Sequence, residues 1–434
     1  MFPFSALTQR AKENNPIRVG IVGAGFLGAG IIRQVIQTPG MRLMVVSNRT
    51  TERAVAALTE SGIEAAAIRV CQDQKQACKA LEDGFYVVTP HSILPCEFKD
   101  VEVVVETTGE ALFGTHAALK SIEAKKHFVA SNAEVQATVG AILKHRADAA
   151  GVLYSDIDGD QPGILKKLYD SCVGLGFRPQ VAGNCKGLLK RYATPETQAD
   201  YAKANGIQPW IATAAADGTK LNMEMCLVAN ATGMKPDVSG MIGVQTSLEN
   251  ILNDFRQLGL LEGMPRVEFT LGIPMGVFVI AHREDPHVQA EMRYFKMGDG
   301  PHYVFFHPYV LCHYDAVPSI AGSILSREAV IAPLAGPPGT EVIAFAKREL
   351  ASGQQIDGIG GYDSYGLLVD GEEAREKGYL PIGLCQYARL NDSVNQDEPI
   401  GLHQIEWTED NELLALWHEQ RQMQKEVISE NLQR

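Results

Sequence analysis

The eight cysteines of this chain, at positions 71, 78, 96, 172, 185, 226, 312 and 385, form no CxxC pair. That excludes the compact dithiol and zinc-ribbon spacings. In a chain of 434 residues it points to reduced thiols in a cytoplasmic protein, not to a disulfide framework. No apolar run approaches the ~18 residues of a membrane span. Basic residues are in deficit: 39 Lys and Arg stand against 52 Asp and Glu, a formal charge of −13. Nucleic acids and anionic membrane surfaces are held by basic patches, so neither is an expected partner. The opening MFPFSALTQR has neither the basic start nor the long apolar stretch of a secretory signal. Apolar material is ample, 45% of the residues, enough for two or three domains with their own cores.

Residues 17–28 carry the most information. Ile17 to Val22 is an apolar run rich in β-branched residues, it ends in Gly23-x-Gly25-x-x-Gly28, and a helix-compatible stretch from Ala29 to Gln37 follows. This is the strand, glycine turn and helix of a dinucleotide-binding unit, and it implies a doubly wound parallel sheet. Gly23 permits the tight turn, and Gly25 lets the backbone approach a pyrophosphate. Gly28 lets the helix pack close to the strand, so that the amides around Phe26 and Leu27 face the phosphates.

The second strand, Arg42 to Ser47, runs into Asn48-Arg49, with Arg53 one helical turn further on. An NAD site wants a carboxylate about 20 residues beyond the last glycine. Asn48 stands there instead, and two guanidiniums suit a 2′-phosphate, so NADP(H) is the expected cofactor. A third strand, Val101 to Glu106, is apolar enough to be covered on both faces and leads into Thr107-Thr108-Gly109. A fourth, from Lys125, ends at Ser131-Asn132-Ala133-Glu134, before a helix reaching about Arg146. Open parallel sheets bind ligands beyond the carboxyl ends of their strands, so Thr107, Thr108, Gly109, Asn132 and Glu134 are candidates for the nicotinamide end.

Along the chain, a short helix and polar linker precede Pro16, and residues 16–156 form the expected nucleotide domain. Residues 62–98 are long for a connection and predict an extra helix over Gln74–Glu82 and a strand over Phe85–Val88. Residues 157–335 open with a turn and a Pro162-led helix, then alternate helices with separate amphipathic strands at Pro179–Ala182, Val267–Thr270, Gly276–His282 and Tyr303–Cys312. Helices are expected at Thr197–Asn205 and Gln245–Gln257. The pattern reads as an α+β substrate and oligomerisation domain with an open, mixed or antiparallel sheet. A Pro/Gly linker at 333–338 leads to a small β-rich module over 340–407, and residues 408–434 close with a helix.

The fingerprint, Val104-Val-Glu-Thr-Thr-Gly109 and the Lys126-His127 strand ending in Ser131-Asn132 resemble the nucleotide domain of the homoserine dehydrogenase superfamily. Further stretches resemble one offshoot of it, the deoxyxylulose-phosphate reductoisomerase-like (DRL) oxidoreductases. They are Gly151–Ser155, Gly159-Asp160-Gln-Pro162, Ala182-Gly183-Asn-Cys-Lys186, Asp217-Gly-Thr-Lys220, Ala229–Gly233, Gly276–Phe278 and His307-Pro308-Tyr309. Glu341–Lys347 with Leu380–Leu384 is similar to the SAF (antifreeze-like) module of that family. The likeness runs from about residue 16 to 407. One departure separates the chain from homoserine dehydrogenases proper, which commonly carry Lys after the Asn where this chain has Ala133.

The resemblance implies NADPH-dependent reduction, or isomerisation and reduction, of a small hydroxylated and in some members phosphorylated carbonyl compound, as in isoprenoid biosynthesis. It also implies a homodimer or homotetramer. On that basis Lys186 is the first catalytic candidate, able to polarise a carbonyl as hydride arrives. Asp160 and Glu224 follow as acid/base or positioning groups. Asn230, Thr232, His307 and Lys190 are candidates for substrate, with Arg191 and Lys235 as further cations for a phosphate. Plainer structural roles compete: a solvated loop for Lys186, an N-cap for Asp160, an ion pair with Lys220 for Glu224. Asp156-x-Asp158-x-Asp160 lacks the Gly and Glu of a calcium loop, since Gln161 and Lys167 stand there. His302, His307, Cys312 and His313 match no zinc spacing, so no metal site is expected, although Asp160 and Glu224 would suit a divalent ion. The alternatives are an NADP-dependent dehydrogenase of an amino-acid semialdehyde or sugar acid, and, from another class, a cofactor-binding scaffold without turnover.

Overall fold

The computed structural model describes residues 4–432, with side chains described through 423. Gln433, the expected end of the terminal helix, lies outside the described residues. The chain forms two units: Met1–Asp160 with Leu311–Gly336 and Asn411–Arg434, and Gln161–Val310 with Pro337–Asp410. Residues 311–336 therefore group with the first unit and not with the segment before them, and the β-rich module groups with the second.

In the first unit seven parallel strands form one sheet. They are β1 (Ile17–Val22), β2 (Met41–Ser47), β3 (Ile68–Val70), β4 (Tyr86–Thr89), β5 (Val103–Glu106), β6 (His127–Ala130) and β7 (Tyr154–Asp156). Their order is β3-β4-β2-β1-β5-β6-β7, so the winding reverses on the two sides of β1, the switch point where such sheets bind ligands. Val103, Val104 and Val105 have no exposed surface, as strands covered on both faces require. The helix expected at Gln74–Glu82 and the neighbouring strand β4 are present, joined by the three-residue β3, too short to announce itself in sequence. The helix after the glycine turn begins at Phe26, three residues ahead of the expected Ala29, because Gly25 already supplies its extended N-cap. The helix Ala133–Ala150 outruns its expected end at Arg146 and is capped by left-handed Gly151. The helix Ala316–Leu325 packs on β1, β5 and β6 and on the helix Phe26–Gln37.

The second unit contains β8 (Arg178–Lys186), β9 (Val244–Gln245), β10 (Arg266–Leu271), β11 (Val277–His282) and β12 (His302–His307), in the order β12-β11-β8-β10-β9. β8, β10 and β9 run parallel while β11 and β12 are antiparallel, the expected mixed sheet. The strand expected over Tyr303–Cys312 stops at His307, because Pro308 has no N–H to donate. The helix expected over Gln245–Gln257 starts only at Ile251, residues 244–245 having paired as β9. The helix Thr219–Thr232 is buried on nearly every side, packed against β8, β10 and the module strands β13 (Thr340–Ala346) and β14 (Ser364–Asp370). A second short pair, β15 (Ala388–Leu390) and β16 (Ile405–Trp407), completes the β-rich module. Among the described residues no helix is long and apolar enough to cross a membrane.

Candidate active site

In the first unit the glycine turn has the form its residues require. Gly23 adopts φ +99°, a conformation that side chains resist. A Cβ on Gly28 would lie 2.4 Å from the Gly23 carbonyl oxygen, so only glycine lets the helix sit so close to β1. A Cβ on Gly25 would meet nothing within 4 Å: the turn leaves open space at the point where a pyrophosphate would approach. No side chain caps this helix, so its N-terminal amides are not claimed by a cap. Phe26 is 73% exposed at its first position, and Leu27 is half-buried against the core. Thr107 fastens the turn from the neighbouring strand, its hydroxyl donating to Val22 O at 3.1 Å and Gly23 O at 3.3 Å.

At the end of β2, Asn48 accepts from the amide of Ala24 at 3.1 Å and donates to Thr50 O at 2.6 Å. It therefore holds the turn by its own side chain. Arg49 and Arg53 are exposed, and among the described residues neither forms an ion pair, not even with Glu52. Beyond β5, Thr108 and left-handed Gly109 are half-buried, while Asn132 and Glu134 are buried at the start of the helix Ala133–Ala150. Glu106, not among the sequence candidates, binds these pieces together. Its Oε1 accepts from the Thr108 amide at 2.6 Å and from the Thr108 hydroxyl, and its Oε2 accepts from Asn132 Nδ2 at 2.9 Å. Burial pushes its carboxyl up to about 7 despite those hydrogen bonds from Thr108 and Asn132, and Glu134 adds to the rise. The sequence held one hint, an acid directly after three consecutive valines at the end of the strand.

In the second unit the geometry centres on Lys186, the last residue of central strand β8. Its Nζ lies 4.0 Å from Oε2 of Glu224, whose side chain is 1% exposed on the helix Thr219–Thr232. Asn184, two residues back and so on the same face of the strand, donates to the same oxygen at 2.9 Å. Asn184 Oδ1 is buried without a partner among the described residues, an acceptor left for a hydroxyl or amine. Asn184 was legible only through the alternation of β8, and was not among the candidates. The structure thus brings Lys186 and Glu224 together.

The other candidates make contacts of their own. Asp160 ends the first segment of the first unit and accepts from the Cys312 thiol at 3.6 Å. Asn230, expected at substrate, spends its amide on the module: Nδ2 donates to Thr340 O at 3.1 Å and Oδ1 accepts the Thr340 amide at 2.9 Å. Thr232 turns back to donate to Val228 O at 2.7 Å within its own helix. In both, the polar groups serve helix and strand. His307 ends β12 with its ring 4.3 Å from that of Tyr309. Lys190 is exposed in the loop after Lys186, whereas Lys235 is ion-paired with Asp370. Among the described residues no group of three His, Cys, Asp or Glu could hold a metal ion.

That loop is tied to the β-rich module. The Tyr192 hydroxyl donates to Asp397 at 2.8 Å, Tyr365 donates to the other Asp397 oxygen at 2.8 Å, and the Arg191 guanidinium lies 4.9 Å from the centre of the Tyr365 ring. Lys347 donates to Ala193 O at 2.9 Å and to the buried carboxylate of Asp217 at 2.9 Å. The Asp217 and Lys347 stretches, quoted above for their family likeness, are therefore partners in one buried ion pair.

Residues 159–316 match the family model of the catalytic domain of oxidoreductase DRL. Among solved structures the chain is similar to a homoserine dehydrogenase from Thiobacillus denitrificans, at 13% identity over 89% of this chain and 97% of that one, with a TM-score of 0.44. It is also similar to a DOX-P reductoisomerase in complex with NADPH, fosmidomycin and magnesium, at 12% identity over 72% of this chain and 70% of that one, TM-score 0.43. A third is the 1-deoxy-D-xylulose 5-phosphate reductoisomerase of Zymomonas mobilis in complex with NADPH, at 13% identity over 72% and 82%, TM-score 0.38. No curated protein matches the chain.

Proposed function

We propose that this DRL-like oxidoreductase binds NADPH on its first unit and reduces a small hydroxylated carbonyl compound, phosphorylated ones included, with Lys186 of its second unit. The observation that carries the reading is the Lys186–Glu224–Asn184 cluster, which lies inside the matched catalytic-domain segment. The residues of the glycine turn fit the cofactor: the space at Gly25 would admit a pyrophosphate, and Arg49 and Arg53, in no ion pair among the described residues, offer two guanidiniums to a 2′-phosphate. Thr108, Gly109 and Asn132 frame the end that would receive the nicotinamide, with Glu106 holding Thr108 and Asn132 in place.

Bound NADPH supplies a hydride. Lys186 donates a hydrogen bond to the carbonyl oxygen, stabilises the negative charge that grows there, and can pass it a proton. Glu224, buried and hydrogen-bonded by Asn184, faces the ammonium and aims it. The free acceptor of Asn184 orients a substrate hydroxyl. Lys190, exposed in the following loop, is the available cation for a substrate phosphate.

Lys186→Ala should cut NADPH oxidation by at least about 100-fold while leaving the NADPH dissociation constant within about twofold. Unchanged turnover would remove Lys186 from the mechanism. A panel of phosphorylated ketoses and amino-acid semialdehydes separates the reductoisomerase type of substrate from the homoserine dehydrogenase type. Tight NADPH binding with no oxidation by any of them would favour a scaffold.

A further inference from the structure

Glu106 has a place in the fold that the proposed chemistry does not use. It ends β5 with no exposed surface, and its carboxylate joins the two loops that follow β5 and β6. Asn132 extends the connection. Its Oδ1 accepts the Val135 amide at 3.2 Å, capping the helix Ala133–Ala150, and its Nδ2 also donates to Glu110 O at 3.2 Å. Glu110 in turn caps the helix Ala111–Glu123 through the Phe113 amide at 2.7 Å. The packing leaves no slack: a Cβ on Gly114 would lie 2.5 Å from Asn132 Nδ2 and 3.2 Å from Glu106 Oε2. One buried carboxylate therefore sets the backbone of Thr107–Gly109 and the side chain of Asn132 together.

Resting on the reading that this unit binds NADPH, we propose that Glu106 is a positioning residue for the cofactor: ionised, it holds both loops in the arrangement that receives the nicotinamide, and protonated, it releases them. The donors define why. Thr108 N, the Thr108 hydroxyl and Asn132 Nδ2 all point at a carboxylate, and of these only the hydroxyl can turn to accept a proton from the acid form. The other titratable groups acting across this site are Glu134 on the helix Ala133–Ala150, Cys96 in the segment Leu94–Glu97 and Tyr154 on β7, while β6 pairs Ala130 beside Glu106 and β1 pairs Val22. Burial raises the Glu106 carboxyl to about 7, so the two forms exchange within the neutral range.

The test is fluorescence titration of the full chain with NADPH between about pH 5.5 and 8.5, for wild type, Glu106→Gln and Thr108→Val. Affinity of the wild type should rise at least about fivefold from pH 6 to 8, through a one-proton inflection. That inflection should vanish in Glu106→Gln. Because both proteins meet the same ligand, titration of the cofactor's own phosphate cancels in the comparison. Thr108→Val keeps the amide but loses the hydroxyl donor, and should move the inflection to higher pH. If Glu106→Gln does not fold, the direction of that shift decides. Identical pH profiles in wild type and Glu106→Gln, or an unmoved inflection in Thr108→Val, overturn the proposal. Absence of NADPH binding by the wild type at every pH overturns the cofactor reading itself, a separate result.

Discussion

Arg49 and Arg53 are exposed and unpaired within the described residues, so any discrimination they provide is made with the ligand and not with the protein. Replacing either by Ala should raise the NADPH dissociation constant roughly tenfold and leave that for NADH nearly unchanged, since each charge-assisted bond to a phosphate is lost only with the phosphorylated cofactor. Equal losses for both cofactors would place the arginines elsewhere. The same scale governs Glu106. Its carboxyl is raised in the folded chain to about 7 from an ordinary 4.5, so between those values the folded state binds more protons than the unfolded one. Stability should accordingly fall as pH rises from about 4.5 to 7, by about 3 kcal/mol. Urea unfolding of wild type against Glu106→Gln at pH 5 and 8 reads it, and a pH-independent difference between the two would refute it. The glycines and arginines were legible because their chemistry is local. Glu106 was not, because its meaning depends on burial and on Asn132, 26 residues away.

At the scale of elements, the loop after β8 is shaped by the β-rich module as much as by its own sequence. Lys347 on the strand extension of β13 is 2% exposed and Asp217 is 0%, and the ammonium also holds the carbonyls of Ala193 and Gly361. Removing one partner leaves a buried charge alone, so Lys347→Met should cost roughly 3–5 kcal/mol, and Asp217→Asn with Lys347→Met together should cost less than Lys347→Met alone. A single-variant loss below about 1 kcal/mol in chemical denaturation would mean that water reaches the site. Tyr365→Phe is a gentler probe of the same tie. Losing one hydroxyl to Asp397 should loosen the loop and raise trypsin cleavage after Lys190 and Arg191 without unfolding the unit. Strand and helix periodicities were readable across most of this unit. The partnership of Asp217 with Lys347, and of Asn230 with Thr340, was not, since each joins stretches more than 100 residues apart through side chains that look equally suited to a ligand.

At the scale of the whole molecule the chain leaves its first unit at Asp160, returns for Leu311–Gly336, leaves again and comes back at Asn411. A sequence read from left to right divides into consecutive blocks, and nothing in the composition of residues 311–336 or 411 onward announces the return. The reason for the last return is packing. Leu413 and Trp417 on the helix Glu412–Leu432 are buried, and Gln420 mends a defect in the helix Ala133–Ala150. That helix is broken at Val139, where φ is −135°, and Gln420 takes up its interrupted ladder: Oε1 accepts the Ile142 amide at 3.1 Å and Nε2 donates to Thr138 O at 3.0 Å. Gln420→Ala leaves both backbone groups buried and unmet, at a cost of about 1–3 kcal/mol. The same helix starts at the Asn132 cap beside Glu106, so the loss should be felt at the end of the first unit proposed to receive the cofactor. Hydrogen exchange in the amides of residues 133–150 should accelerate in Gln420→Ala, and further on deletion of residues 411–434, while β8 and β11 keep their protection. NADPH affinity should weaken in step with the exchange rates. Uniform acceleration across both units would instead make the terminal helix a prop for the entire fold, and unchanged exchange at Ile142 would show that the kink needs no outside partner.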